Sequence, residues 1–172
     1  MTEYYVDASA LVKRYADEAG STLVRQMTDP QAQHTILLAE FTLAEVAAAL
    51  AAKSRAPGGI TQEQRDHILS RFLQDCAEHF LLLPVDRPVI DRAVELTQRY
   101  RLRGYDAVQL ATALVASEII QSQNLSAPTF VAADNDLLTA ATSECLPVEN
   151  PLDHTDLDTQ SSPSGPVSSV DN

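Results

Sequence analysis

The sequence predicts a single α/β domain whose mostly parallel sheet is covered by helices on both faces. Short apolar runs alternate with segments of helical periodicity over about 150 residues, and strands connected in this way pair in parallel. The chain has 172 residues, of which 45% are hydrophobic, and this suits one domain with a substantial core. Because parallel strands are buried on each side, helices have to cover both faces of the sheet.

The first half of the chain contains two predicted strands and three predicted helices. They lie, in order, at residues 4–9, 10–15, 34–39, 42–54 and 61–79. Aromatic and aliphatic runs mark the strands, and apolar residues at helical spacing mark the helices. The helix at 42–54 is rich in Ala and Leu and ends before Pro57. Thr61 and Gln64 have the spacing of a capping box at the start of the third helix.

The second half contains three predicted strands and three predicted helices. They lie, in order, at residues 80–85, 89–100, 106–120, 129–132, 137–142 and 145–148. Pro88 suits the first turn of its helix, so Asp86 is expected to cap that helix. The helix that Asp106 opens is apolar nearly all round and is expected at the centre of the domain. The last strand contains Pro147, which favours a place at the edge of the sheet.

The folded domain is expected to span residues 1–149, and residues 150–172 are expected to form a disordered acidic tail rich in Ser and Pro. No stretch approaches the roughly 20 apolar residues of a membrane span, and the N-terminus lacks the layout of a signal peptide. Cys76 and Cys145 lie far apart without metal-type spacing, which predicts buried thiols in a reducing compartment. We therefore expect a cytoplasmic protein.

The charge balance limits how the chain can bind nucleic acid. The net charge is −12, and four of these negative charges lie after residue 150 with no Lys or Arg beside them, which leaves −8 on the predicted domain. Such a balance argues against binding of nucleic acid by bulk charge alone. It leaves room for an enzyme that binds nucleic acid locally, through metal ions and a few arginines.

Four carboxylates lie in apolar sequence settings and are expected at the same edge of the sheet. They are Asp7, Glu45, Asp106 and Asp134. Asp7 and Asp134 follow strands, at the edge where open α/β sheets bind ligands, and the other two lie near helix amino ends that face this edge. Each acid alone could be a helix cap or a solvated side chain, and either Asp7 or Ser9 could cap the first helix. Their joint occurrence instead predicts a cluster.

Such a cluster would favour a bound cation. Two carboxylates 5 Å apart repel by about 3 kcal/mol at an effective dielectric near 20, and a hard divalent ion relieves this repulsion. Ligands that are all oxygen indicate Mg²⁺ or Mn²⁺, and the four scattered histidines do not form a zinc pattern. Asp136 and Ser9 are further candidate ligands, although each could instead cap a helix. Glu40 is a weaker alternative to Glu45. A metal site of this kind suits phosphodiester hydrolysis.

The segments around the four acids resemble the acidic motifs of PIN-domain ribonucleases, and most of all those of VapC-type toxins. They read YYVDASALVKRY (4–15), TLAEVAAAL (42–50), LRGYDAVQLATAL (102–114) and TFVAADNDLLTAA (129–141). The resemblance covers roughly residues 3–148. It implies a three-layer α/β/α sandwich on a five-stranded parallel sheet, with Mg²⁺- or Mn²⁺-dependent cleavage of single-stranded RNA. It also implies catalytic and metal-binding roles for the four acids, a homodimer, and neutralisation by a small antitoxin.

Basic residues cluster near the acidic motifs in the sequence. Seven of the 12 Lys and Arg residues lie close to an acidic motif, and we expect four of them to form a basic rim for RNA. The four residues of this basic rim are Lys13, Arg14, Arg101 and Arg103. The alternative is that these side chains simply occupy exposed helix ends, where the helix dipole favours cations.

Other functions compete with the toxin hypothesis. The chain could be a free-standing PIN nuclease of RNA processing, or a PIN module that binds RNA or protein without catalysis. A phosphotransferase or phosphatase could use Asp7 as its nucleophile. Enzymes of that kind usually carry a second aspartate two residues later, where this chain has Ser9.

Overall fold

Five strands form one parallel sheet at the centre of the protein, which a computed structural model describes over residues 2–160. In chain order they are β1 (Glu3–Val6), β2 (Thr35–Ala39), β3 (Phe80–Leu83), β4 (Thr129–Val131) and β5 (Val148–Glu149). Their order across the sheet is β3-β2-β1-β4-β5, and all neighbouring strands pair in parallel. The chain therefore changes direction across the sheet between β3 and β4. This topology opens a crevice where β1 and β4 end.

Eight α-helices surround the sheet in the described part of the chain. They are α1 (Ala8–Tyr15), α2 (Ser21–Met27), α3 (Thr42–Arg55), α4 (Gln62–Glu78), α5 (Arg87–Arg99), α6 (Gly104–Ser122), α7 (Asn135–Ser143) and α8 (Asp156–Gln160). Two short 3₁₀ helices, Pro30–Ala32 and Pro151–His154, complete the structure. No helix among residues 2–160 is long and apolar enough to cross a membrane.

The helices form two layers, each with its own hydrophobic core. Tyr5 faces a core built with α5, α6 and α7, whereas the next residue, Val6, faces a core built with α1 to α4. This alternation is the two-residue period of a strand, and both side chains are fully buried. The predicted α/β/α sandwich with a five-stranded parallel sheet is therefore confirmed.

Several helix boundaries lie where the sequence predicts them. Thr61 and Gln64 form a capping box at the start of α4, and Asp86 caps α5 by accepting a hydrogen bond from the Val89 amide. Helix α6 is buried along most of its length, as expected for the central helix. These features depend on residues close together in the sequence, and the prediction was confirmed for each.

Two elements differ from the sequence prediction. Helix α2 was not predicted, and it begins after Gly20, whose φ of +83° suits a residue without a side chain. The last strand begins at Val148 rather than at residue 145, because Cys145 and the residues after it form a loop in which Cys145 has a φ of +65°. Cys145 is exposed in this loop, so the prediction of two buried thiols is wrong for Cys145 and confirmed for Cys76.

The predicted disordered tail is ordered in its first part. Residues 150–160 form the second 3₁₀ helix and α8, and these pack against α2. Asp158 accepts hydrogen bonds from the amides of Gly20 (2.7 Å) and Thr22 (2.9 Å) at the start of α2. Prediction of disorder from residue 150 was therefore wrong, because an acid in a polar segment stabilises a distant helix N-terminus. Residues 161–172 of the predicted tail lie outside the described part.

Candidate active site

Asp7 lies at the carboxyl end of the central strand and is almost entirely buried, with 5% of its surface exposed. Its side chain caps α1, because Oδ2 accepts hydrogen bonds from the Ser9 amide (2.9 Å) and from the Ser9 hydroxyl (2.5 Å). Its own amide donates to the carbonyl of Val131 on β4 (2.9 Å). Asp7 is thus a helix cap and also the acid nearest the centre of the sheet edge.

Ser9 connects Asp7 to the loop that follows β4. Its hydroxyl donates to Asp7, and the same oxygen accepts a hydrogen bond of 2.9 Å from the Ala133 amide. Of the two candidate caps for α1, the structure assigns the cap to Asp7 and not to Ser9. Ser9 instead holds the ends of β1 and β4 together, and it orients the Asp7 carboxylate.

Glu45 lies in the first turn of α3, where its half-buried carboxylate accepts a hydrogen bond of 2.5 Å from the side-chain amide of Gln109. The same amide donates to the Thr42 hydroxyl (2.9 Å), and the Gln109 carbonyl accepts from the Tyr5 hydroxyl (2.7 Å). Glu40, the weaker alternative, is exposed at the end of β2. Glu45 is therefore the glutamate that faces the other acids.

Gln109 was not identified in the sequence as a site residue. It is fully buried in α6 and joins three elements, β1, α3 and α6, through hydrogen bonds. The available signal was a glutamine among Ala, Val and Leu in a helix that was already expected to be buried. Buried polar side chains need partners, so this position could have been marked as part of a polar network.

Asp106 and Asp134 line one small surface pocket, together with Asp136. Asp106 lies in the first turn of α6 and accepts a hydrogen bond of 3.3 Å from the Arg103 amide. Asp134 caps α7 through the Leu137 amide (3.0 Å). The expected cap was Asp136, and the structure corrects this: Asp136 lies in the first turn of α7 and is exposed.

The pocket of Asp106 and Asp134 has a volume of about 220 Å³, and Arg101 and Arg103 lie on its wall. A larger cavity of about 530 Å³ lies near the far ends of α1 and α3 and is lined by none of the four acids. The small pocket thus contains two of the four acids, whereas the large cavity contains none of them.

The four acids influence one another electrostatically. Burial raises the pKa of Asp7, and the negative charge of Asp106 raises it further, against the opposing hydrogen bonds of Ser9. Burial, together with the charges of Asp7 and Asp106, raises the pKa of Glu45 to about 7. Burial and the charge of Asp134 raise the pKa of Asp106. Each of the four carboxylates therefore repels at least one of the others at the sheet edge.

The carboxylate oxygens of the four acids are the kind of ligand that a hard divalent cation prefers. The acids supply carboxylate oxygens and repel one another in a partly buried setting, and a cation would relieve this repulsion. Within residues 2–160 no three acidic, His or Cys side chains meet at metal-ligating distance. Three of the acids instead make local cap hydrogen bonds, and Glu45 is held by Gln109.

The basic rim is only partly available to a ligand. Lys13 is buried and forms an ion pair with Glu18 (3.1 Å), and Arg14, whose side chain is 11% exposed, forms one with Asp75 (3.0 Å). These contacts tie α1 to its neighbours, and the RNA-binding role of both residues stays a prediction. Arg101 and Arg103 are exposed beside the acids, as expected of the basic rim.

Known proteins match this chain in two ways, through a family profile and through similar solved structures. The sequence matches the profile of the PIN domain over residues 4–142. The structure is similar to FitAcB from Neisseria gonorrhoeae, with 17% sequence identity and a TM-score of 0.58 over 86% of this chain and 97% of that one. Among the curated proteins, none matches the chain.

Two further solved structures are similar at the level of the fold. A toxin-antitoxin complex from Klebsiella pneumoniae has 19% identity and a TM-score of 0.54, covering 86% of this chain and 97% of that chain. VapC20 from Mycobacterium tuberculosis, described as a toxin that cleaves the sarcin-ricin loop, has 14% identity and a TM-score of 0.54, covering 80% and 94%. At these identities the similarity concerns the fold alone.

Proposed function

The chain belongs to the PIN-domain family, and from this premise we propose that it is a metal-dependent endoribonuclease that hydrolyses the phosphodiester bonds of single-stranded RNA. One observation carries the proposal. Burial raises the pKa values of Asp7, Glu45 and Asp106. The charge of Asp106 adds to the rise at Asp7 and, together with that of Asp7, to the rise at Glu45, while the charge of Asp134 adds to the rise at Asp106. Acids that repel one another in this way, at the switch point of a parallel sheet, suit a cation-dependent catalytic site.

In this proposal Asp7, Glu45, Asp106 and Asp134 are the catalytic residues, and they hold Mg²⁺ or Mn²⁺. Bound there, the cation would lower the pKa of a water molecule and neutralise charge on the phosphate. Asp136 lines the same pocket and is a further candidate ligand. Ser9 is a positioning residue, because its hydroxyl already donates to Asp7 and its oxygen is occupied by the Ala133 amide.

The remaining residues of the site orient a catalytic acid or bind the RNA backbone. Gln109 is itself fully buried and holds the half-buried Glu45 carboxylate through its side-chain amide. Arg101 and Arg103 are exposed beside Asp106, where their charges suit contacts with backbone phosphates on either side of the cleaved bond. These two arginines offset the acidic charge locally, so an acidic protein can bind a polyanion at this one place.

We propose further that the nuclease is the toxin of a toxin–antitoxin pair, active in the cytoplasm and forming a homodimer. Support comes from the similar structures of a toxin and of a toxin-antitoxin complex. The two unpaired cysteines are in keeping with a reducing compartment. A small antitoxin protein would be the partner, and a short reading frame for a DNA-binding protein beside this gene is the observation that separates a toxin from a free-standing nuclease.

The proposal is tested with purified protein and a mixed-sequence single-stranded RNA. We expect cleavage with Mg²⁺ or Mn²⁺, none in excess EDTA, and none by Asp7→Asn or Asp106→Asn, while circular dichroism shows that both variants fold. Asp66→Asn, which changes an exposed aspartate of α4, is the matched control and should cleave normally. Cleavage by Asp7→Asn or in EDTA would contradict the proposal. Binding of RNA without cleavage under any metal would support a non-catalytic binding module.

A further inference from the structure

Two aromatic rings lie next to each other at the edge of the sheet that holds the acids. Phe41 follows β2 and precedes α3, and Tyr105 is the second residue of α6, directly before Asp106. Their ring centroids are 5.6 Å apart, and the ring planes differ by 22°, so the rings are stacked. The stacked pair therefore joins the two helices that carry Glu45 and Asp106.

The two rings differ in their exposure. Phe41 is partly buried and packs against the core built with α5, α6 and α7. Tyr105 is 67% exposed, which makes it the most exposed large hydrophobic side chain among residues 2–160. Phe41 is thus held by packing against the core, whereas much of the Tyr105 ring is exposed to solvent.

The surroundings of Tyr105 match those of a single-stranded nucleic acid site. Within residues 101–106 the chain carries two exposed arginines, the exposed ring of Tyr105, and Asp106. Proteins bind single strands by combining cations that follow the backbone with aromatic rings on which unpaired bases stack. The same six residues therefore offer contacts for a phosphate, for a base and for the proposed cation.

We propose that the Phe41–Tyr105 pair is a base-stacking subsite, which holds one unpaired nucleobase beside the phosphodiester bond to be cleaved. This inference rests on the proposed function and deepens it, since it gives a physical reason for single-stranded RNA as the substrate. A base in a duplex is already stacked on both faces and cannot stack on Tyr105. Stacking is tolerant of base identity, so the subsite selects unpaired RNA rather than a sequence.

The test measures binding and cleavage of a short single-stranded RNA by four proteins: the wild type, Tyr105→Leu, Tyr105→Phe and Tyr105→Trp. We expect Tyr105→Leu to raise KM and the dissociation constant roughly 5- to 100-fold with a smaller change in kcat, because leucine is apolar but cannot stack. The Phe and Trp variants keep an aromatic ring and should bind like the wild type. Leu125→Ala, at an exposed loop position, is the control for general loss of apolar surface.

A second measurement uses RNAs in which one nucleotide at a time lacks its base. We expect one abasic position to weaken binding to the wild type and to have no further effect on Tyr105→Leu, which is the signature of a direct interaction between the ring and that base. Equal losses of binding affinity for the wild type and Tyr105→Leu at every abasic position would overturn the subsite.

The outcomes separate the subsite from the proposed function. Cleavage by the wild type with unchanged KM and dissociation constant for Tyr105→Leu overturns the subsite and leaves the nuclease intact. Binding that depends on Tyr105 without any cleavage supports the subsite and overturns the nuclease. No detectable binding of RNA by the wild type, with or without Mg²⁺, overturns both.

Discussion

Gln109 donates a 2.5 Å hydrogen bond from its side-chain amide to the carboxylate of Glu45, although the two residues are 64 positions apart in the sequence. The glutamine is itself held by the Tyr5 hydroxyl, which donates to its carbonyl at 2.7 Å. Both Tyr5 and Gln109 are fully buried. The orientation of a proposed catalytic acid therefore depends on a buried network that begins in the central strand.

Replacement of Gln109 tests this positioning role. We expect Gln109→Leu to lower kcat roughly 10- to 100-fold with a small change in KM, because Glu45 loses the donor that orients it. The protein should also lose about 1–3 kcal/mol of stability, because the Tyr5 and Thr42 hydroxyls lose a buried partner. Gln121→Leu, which changes an exposed glutamine of the same helix, is the control. Unchanged kcat in Gln109→Leu would contradict the positioning role.

The stability of the metal-free protein should depend on pH through Glu45. Its pKa is raised from 4.5 in a free side chain to about 7 in the folded protein, so the folded state holds this proton more tightly than the unfolded chain. The folded state therefore loses stability as the pH rises from about 4.5 through about 7. We expect Glu45→Gln to be more stable than the wild type by roughly 1–2 kcal/mol at pH 8, after allowance for partial exposure, and equally stable at pH 4.

Thermal or urea unfolding in EDTA at pH 4, 6 and 8 measures this difference. Glu95→Gln, at an exposed position on α5, should show no gain that grows with pH. A Glu45→Gln gain that is the same at all three pH values would show that ionisation of Glu45 is not the cause.

Removal of the Ser9 hydroxyl should weaken cation binding. In Ser9→Ala, Asp7 keeps the hydrogen bond from the residue 9 amide and loses the one from the hydroxyl. The hydrogen bond from the Ala133 amide to the Ser9 hydroxyl is also lost. The hydroxyl favours the ionised carboxylate, so its loss raises the pKa of Asp7 further. We expect roughly tenfold weaker binding of Mn²⁺ by calorimetric titration. Ser9→Thr should restore binding, and Ser122→Ala, on an exposed part of α6, should bind as the wild type.

Replacement of Arg14, and of Arg101 with Arg103, should separate stability from RNA binding. Arg14→Ala breaks a largely buried ion pair with Asp75 and should cost about 3 kcal/mol of stability, with kcat/KM unchanged at a temperature where the protein is folded. The double variant Arg101→Ala, Arg103→Ala should keep its melting temperature, raise KM and show a weaker dependence of RNA binding on salt. Equal RNA binding by this double variant and the wild type would remove these arginines from the basic rim.

Removal of the C-terminal segment should loosen α2 without affecting the acids. A chain that ends at residue 149 lacks Asp158, which accepts hydrogen bonds from the Gly20 and Thr22 amides. We expect faster hydrogen exchange across α2, a lower melting temperature and normal cleavage. Asp158→Ala should reproduce the faster exchange, whereas Asp153→Ala, an exposed position in the same segment, should not. Unchanged exchange in α2 after truncation would contradict a stabilising role for the segment.

Sequence patterns predicted what depends on residues close together in the chain. The capping box of Thr61 and Gln64 joins positions three apart, and the cap at Asp86 likewise follows from its neighbours. The order of strands and helices was predicted because buried strands and amphipathic helices have different periods. The short helix α2 was missed because its seven residues, STLVRQM, are too few to define a period.

The sequence by itself determined the class of fold, the two-faced burial of the sheet and the four acids of the proposed site. Only the tertiary structure decided which partners these residues meet. Packing placed β1 between β2 and β4, brought Gln109 to Glu45, paired Arg14 with Asp75 and joined Asp158 to α2. A local pattern records which side chains must be buried or capped, whereas the partner of a buried polar group depends on how distant segments pack together.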